Sequence, residues 1–180
     1  SMNSIRWFYN NHYNYGSILP VKNVHGFLLN KSSQIHSQLI SKHGVPLSAF
    51  HRPLPASIQD LQRVHSKEHL DGLRSASRLA AAAELPWLAW LPSFVVRRAM
   101  LFPQICATGG TIAAVKHAAS GGWAFNLAGG FHHARSNLAH GFCLIADVAV
   151  ALRAVAVEGH VLVLDLDTHQ GDGNAAIFQG

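Results

Sequence analysis

Two short apolar runs, each emptying into a loop crowded with glycine, histidine and aspartate, constrain this chain more than anything else in it. The first, Trp123 to Leu127, follows a helical stretch from Pro103 to Ser120 whose Ala107, Gly109, Gly110, Ala113 and Ala114 permit close packing on a sheet. The second, His160 to Leu166, is almost continuously aliphatic. It follows an Ala/Val-rich segment, Asp147 to Val157, that reads as a helix ended by Gly159. Strands without polar alternation are buried on both faces, so strand, helix and strand in this order predict an α/β fold with a parallel sheet covered by helices. Ligand sites in such sheets lie beyond the carboxyl ends of the strands, where the unusual residues of this sequence gather.

The rest of the chain supports one domain over residues 1–180. Apolar residues make up 49% of it and charged residues 13%, enough to build a core. Ile5 to Tyr9 reads as a strand, Gly26 to Ser41 as a helix, and Val45 to Pro55, with three prolines, as a loop or edge segment. Ser57 is placed to cap a short helix through Val64, and a second helix is expected from Lys67 to Glu84, ending before Pro86. Pro86 to Pro92 is an aromatic loop in which Trp87 and Trp90 are open to a place at a pocket rim or in the core. Apolar runs are interrupted well short of the roughly 20 residues of a membrane span. Ser1-Met2-Asn3-Ser4 has no basic-then-apolar pattern and reads as a scar ahead of the native start. Cys106 and Cys143 give no disulfide framework, which favours a reducing, cytoplasmic setting. The formal charge of +5 is scattered over single Lys and Arg residues, which argues against nucleic acid as a partner.

The chemistry concentrates in Gly129-Gly130-Phe131-His132-His133-Ala134 and in Asp165-Leu166-Asp167-Thr168-His169-Gln170-Gly171-Asp172-Gly173. Alternate residues of an extended chain point the same way, so Asp165, Asp167 and His169 share a side. An Asp-x-His pair alone commonly caps a turn. Here three acids and a histidine cluster at the end of an apolar strand, and Asp167 with His169 offers the mixed oxygen and nitrogen ligation that suits Zn or Fe(II). Asp165 and Asp172 remain, one for each imidazole of His132 and His133. A carboxylate that accepts a ring N–H fixes the tautomer and raises the basicity of the other nitrogen. Two such pairs beside a metal are the equipment for amide hydrolysis.

These two runs, together with Gly141-Phe142-Cys143 and Asp147 between them, resemble the signatures of the histone deacetylases of the arginase/deacetylase fold. Gln170, Leu91-Pro92-Ser93-Phe94-Val95-Val96-Arg97-Arg98 and Thr108-Gly109-Gly110-Thr111 look most like class IV and its bacterial relatives. His51-Arg52-Pro53 and Val64-His65-Ser66-Lys67-Glu68-His69-Leu70 resemble the amino-terminal part of the same bacterial proteins. The resemblance implies a three-layer α/β/α architecture, of which this chain is the amino-terminal part. It implies Asp167 and His169 as metal ligands, and His132 and His133 as a catalytic pair oriented by Asp165 and Asp172, with His133 the general base. Gly141 and Phe142 are expected to line a narrow tube for an acyl-lysine side chain, Cys143 to lie near the acyl group, and carbonyls around Asp165 to His169 to hold a potassium ion.

The family pattern continues into a third metal ligand, an aspartate, and a Gly-Gly-Tyr, neither of which is in this sequence. It also sets two further strands between Trp123–Leu127 and His160–Leu166. This chain is therefore expected to leave a gap on the order of 10 Å, edged by unpaired backbone, to be closed by a further segment or a second copy. Removal of an acetyl or longer acyl group from a lysine or related amine is the leading reading. A ureohydrolase and a non-catalytic fragment that binds metal or acyl-lysine are the alternatives.

Overall fold

The computed structural model describes residues 5–15, 23–24 and 27–179; Ser1 to Ser4 and the Gly26 start expected for a helix lie outside them. The strands among these residues are β1 (Ile5–Phe8), β2 (Asn23–Val24), β3 (Phe27–Leu28), β4 (Phe50–His51) and β5 (Trp123–Asn126). The helices are α1 (Lys31–Ser41), α2 (Ile58–Gln62), α3 (Lys67–Gly72), α4 (Ala76–Ala82), α5 (Ser93–Val96), α6 (Phe102–Ala119), α7 (Asp147–Val155) and α8 (Asp172–Phe178). A π-helical turn, Arg97–Leu101, joins α5 to α6 in one rod.

β1 lies between β4 and β5 with all three parallel, and Trp7 sits opposite both Phe50 and Phe125. On that face Trp7 stacks on Phe125 at 4.6 Å. The other face carries Phe8 and Asn126, and Asn126 Nδ2 donates to the Ala107 carbonyl at 2.9 Å, tying β5 to α6. Gly110 makes that approach possible, since a Cβ there would run into Asn126 and the Tyr13 hydroxyl; a Cβ at Gly109 would run into the Leu54 carbonyl on the loop after β4. α7 packs against α6, and Leu79, Leu88, Val96, Leu144, Ile145 and Val150 fill the core between the helices. No described helix is long and apolar enough to cross a membrane.

Several expectations need correction. His160 to Leu166 forms no strand among the described residues, and Leu162, Leu164 and Leu166 are 89%, 73% and 86% exposed. A strand exists only where neighbours accept its hydrogen bonds, and none of the described strands pairs with this segment. The stretch Lys67 to Glu84 is two helices, because Ser66 starts α3 and Ser75 restarts the chain as the extended residue before α4. The helix near residue 26 begins only at Lys31, after β3. Val45 to Pro55 includes the short edge strand β4, and Ser57 makes a full capping box with Asp60. α7 ends on Ala156 in the left-handed region, φ 51°, ahead of Gly159.

His65 and His69, one turn apart and buried, stack at 4.8 Å. His65 Nε2 accepts the Ala146 N–H at 3.0 Å, and His69 Nε2 bonds the Leu144 carbonyl at 2.9 Å, so both imidazoles support the segment leading into α7. Burial, helped by His69, pushes His65 down to about 4, and burial lowers His69 too. Both therefore fold neutral, while the unfolded chain takes up protons at the ordinary histidine value near 6.5. Stability is expected to be level above pH 6.5 and to fall by up to about 3 kcal/mol between pH 6.5 and 4. Urea unfolding across that window checks this; a profile flat down to pH 4.5 contradicts it.

Candidate active site

β5 runs out at Asn126 into the loop that carries His132 and His133, and the buried carboxylate of Asp147 holds this loop in place. Asp147 Oδ1 accepts the Phe131 N–H at 2.8 Å, and Oδ2 accepts the Gly130 N–H at 3.0 Å and the Thr111 hydroxyl at 2.6 Å. Burial raises the pKa of Asp147, opposed by these hydrogen bonds. Gly129 is required here: its φ is +112°, and a Cβ would lie 2.5 Å from Asp147 Oδ2 and 2.8 Å from Thr111 Oγ1.

The two imidazoles lie side by side, 4.2 Å between ring centroids, and each meets its own aspartate. His132 Nδ1 is 2.6 Å from Asp165 Oδ2, and His133 Nδ1 is 2.6 Å from Asp172 Oδ1. Arg135 donates to the other oxygen of Asp172 at 2.8 Å, and His140 Nε2 stands 3.3 Å from that oxygen. The Arg135 guanidinium first, and His133 second, hold Asp172 well below the usual carboxylate range. Asp165 is lowered by the Asp167 N–H at 3.0 Å and then by His132.

Asp167 and His169 lie across from the pair. Asp167 Oδ1 accepts the His169 N–H at 2.8 Å and is 2.9 Å from His169 Nδ1, and these contacts lower its pKa. The His169 ring centroid is 5.9 Å from that of His133, and Asp167 Oδ1 is 4.0 Å from His132 Nε2. One oxygen and one nitrogen donor, adjacent and facing the imidazoles, fit two positions of a Zn or Fe(II) shell. His133, His140 and Asp172 also place three donor atoms within 4.8 Å of one another. That group is a poorer cation site, because Arg135 already neutralises Asp172.

A cavity of about 600 Å³ opens between the two groups of residues, and His132, His133, Gly141, Phe142, Asp167 and His169 all face it. Cys143 is on its wall and buried; burial pushes its thiol up to about 12, so it stays protonated and is no nucleophile. Gly141, at φ +55°, leaves room for the His133 ring, which a Cβ would approach to 2.6 Å. Phe142 is also left-handed, φ 64°, a strained state for a bulky residue. Its N–H donates to Ala82 at 2.9 Å and its carbonyl accepts from Gln104 Nε2 at 2.6 Å, which over-determine the turn. Trp87 lines the cavity, whereas Trp90 is 89% exposed and belongs neither there nor in the core.

All nine residues singled out from the sequence thus meet in one place. Gln104, Arg135 and His140 were missed. Gln104 is a buried amide inside an apolar helix, a signal open to a sequence reader; Arg135 and His140 carry none, since their role comes from the approach of Asp172.

An α/β chain with a parallel sheet and paired His–Asp groups at a strand end defines the class of protein. The histone deacetylase domain family matches residues 25–180, and the chain belongs to that family. It is 35% identical over 161 residues to histone deacetylase 2 of Arabidopsis thaliana, covering 88% of this chain and 42% of that protein. An uncharacterized protein of Picosynechococcus is 31% identical over 165 residues, 90% of this chain and 53% of its own length. Among solved structures, an HDAC homolog from Aquifex aeolicus superposes with a TM-score of 0.70 at 23% identity, covering 97% of this chain and 47% of that one. The HDA15 HD domain gives 0.74 at 22%, covering 98% and 51%. The fold is therefore the arginase/deacetylase fold anticipated from the sequence. The chain spans about half the length of the relatives it matches.

Proposed function

We propose that this chain supplies the proton-handling residues and two metal ligands of an amidohydrolase that removes an acetyl or longer acyl group from acyl-lysine or a related amine. The observation that carries the reading is the pair of His–Asp contacts, both 2.6 Å, standing side by side opposite Asp167 and His169. Asp167 and His169 would hold a zinc or Fe(II) ion, which when bound polarises the scissile carbonyl and acidifies a water. With Nδ1 committed to Asp172, His133 has Nε2 directed at the cavity, where it would take a proton from an attacking water. The imidazolium so formed on His133 would return that proton to the leaving amine, and His132, held by Asp165, presents Nε2 on the same side to stabilise charge. Gly141 and Phe142 suit the aliphatic stem of a lysine. A structurally similar HDAC homolog complexed with SAHA supports a ligand site in this fold.

The unpaired run around residues 160–166 supports completion of the sheet by a further segment or a second copy, and carbonyls near Asp165 to His169 are the place for a potassium ion. Two free, buried cysteines fit a cytoplasmic setting. The exposure of Asp167 and His169 favours, as a second reading, a chain that binds metal without turnover.

The test is acetyl release from an acetyl-lysine peptide by the protein that carries this chain, with metal content measured on the same sample. One zinc-type ion per site, and loss of both ion and release in Asp167→Ala, are expected. Release that survives Asp167→Ala and chelation contradicts the proposal. Urea formed from arginine or agmatine points to the ureohydrolase instead, and bound metal without release supports the second reading.

A further inference from the structure

A second cavity, of about 570 Å³, opens between α2, α3 and the rod from Ser93 to Ala119 and shares no lining residue with the one at the histidine pair. Its volume falls within the range of small-molecule sites. Leu61, Leu73 and Ile145, all buried, form the floor, and Leu70, Leu101 and Ile105 the walls. The rod faces it with residues 94, 97, 98, 101, 102 and 105, a stripe at helical spacing. Such a stripe ordinarily meets a core and is apolar throughout. Here two of its positions are Arg97 and Arg98, and Arg74, just after α3, is a third guanidinium on the same cavity.

None of these arginines lies within 4 Å of a carboxylate oxygen among the described residues. The acid on the cavity, Asp71, is taken by Lys67 at 2.7 Å. Arg98 rests 4.3 Å over the Phe102 ring, and Phe94 is 69% exposed beside it. The π turn Arg97–Leu101 is on this same wall, and such turns recur at functional sites. Aliphatic surface below, with Arg97 and Arg98 held in no ion pair and Arg74 only in electrostatic reach of Asp71, complements a molecule that is apolar along its length and anionic at one end.

We propose that this cavity binds a free fatty carboxylate, with its chain on Leu61, Leu73 and Ile105 and its carboxylate held by Arg97, Arg98 and Arg74. Guanidinium forks match a carboxylate in paired hydrogen bonds, and a water-excluding floor strengthens them. The experiment is calorimetric titration of the protein that carries this chain with decanoate below its micellar concentration, with a chelator present so that no metal site takes part. One decanoate per chain is expected, with decanol at least tenfold weaker. Arg97→Gln with Arg98→Gln is expected to weaken decanoate at least tenfold while leaving the unfolding temperature unchanged. Absence of saturable binding, equal binding of decanol, or undiminished affinity in the double variant overturns the proposal.

Discussion

Asp147→Ala is expected to destabilise the chain by about 4 kcal/mol, a fall in Tm on the order of 10 °C for a domain of this size. Three donors point at this carboxylate, the backbone N–H groups of Gly130 and Phe131 and the hydroxyl of Thr111. Alanine removes every acceptor and leaves them buried, and each buried unsatisfied donor costs about 1–3 kcal/mol. The hydroxyl can turn elsewhere, but the two amides cannot move without moving the loop that carries His132 and His133. Asp147→Asn should fall between: its carbonyl serves one amide while its NH₂ meets the other N–H head-on, a loss of about 1–2 kcal/mol. Urea unfolding of the three proteins checks the order. An alanine variant that loses less than 1 kcal/mol means that the loop is held by something other than Asp147.

Asp147 also shows what a sequence reader can and cannot see. Its place at the head of an Ala/Val-rich helix was legible, and so was its membership of a recurrent set of residues. Its hydrogen bonds were not, because they join residues 16 and 17 positions apart across the end of a strand. The same division runs through the chain. β1, β5, α6 and the cap at Ser57 follow from local pattern, since periodicity and capping act within a few residues. His160 to Leu166 reads as a strand by composition and forms none among the described residues, because a strand depends on neighbours that the pattern of its own residues does not contain. The break between α3 and α4 falls at Ser75, which is extended at φ −88°, ψ 130°, although the alanines that follow favour one continuous helix. Phe142 could not have been foreseen: a left-handed phenylalanine is disfavoured locally and persists only through Gln104 and Ala82.

The residues of the candidate site converge for a physical reason. The segment of Asp165 to Gly173 has no sheet to rest on, yet it is pinned at its far end. The N–H groups of Gly173 and Asn174 donate to the His132 carbonyl at 2.9 and 3.1 Å. Asp165 and Asp172 then close on His132 and His133. These contacts depend on short-range chemistry between two loops, which residue identity and spacing do encode.

On the proposed activity, Asp172→Asn is expected to lower turnover by about 10²–10⁴-fold, the usual contribution of a positioned general base. Every neighbour of the carboxylate is a donor or can be one: His133 Nδ1 at 2.6 Å, Arg135 at 2.8 Å and His140 at 3.3 Å. The carboxylate meets His133 on one oxygen and Arg135 on the other, with His140 close by, whereas asparagine has one accepting oxygen. Arg135 is cationic and cannot accept, so it claims that oxygen and leaves the NH₂ facing His133. The imidazole must then present a bare Nδ1 and carry its proton on Nε2, the nitrogen that is required to receive one. Removing Arg135 as well frees the asparagine to turn its carbonyl toward His133 and restore the useful tautomer. Asp172→Asn with Arg135→Gln should therefore be more active than Asp172→Asn alone, the reverse of what two independent losses give. If the double variant is the less active of the two, Arg135 acts in some way other than by fixing how residue 172 faces His133.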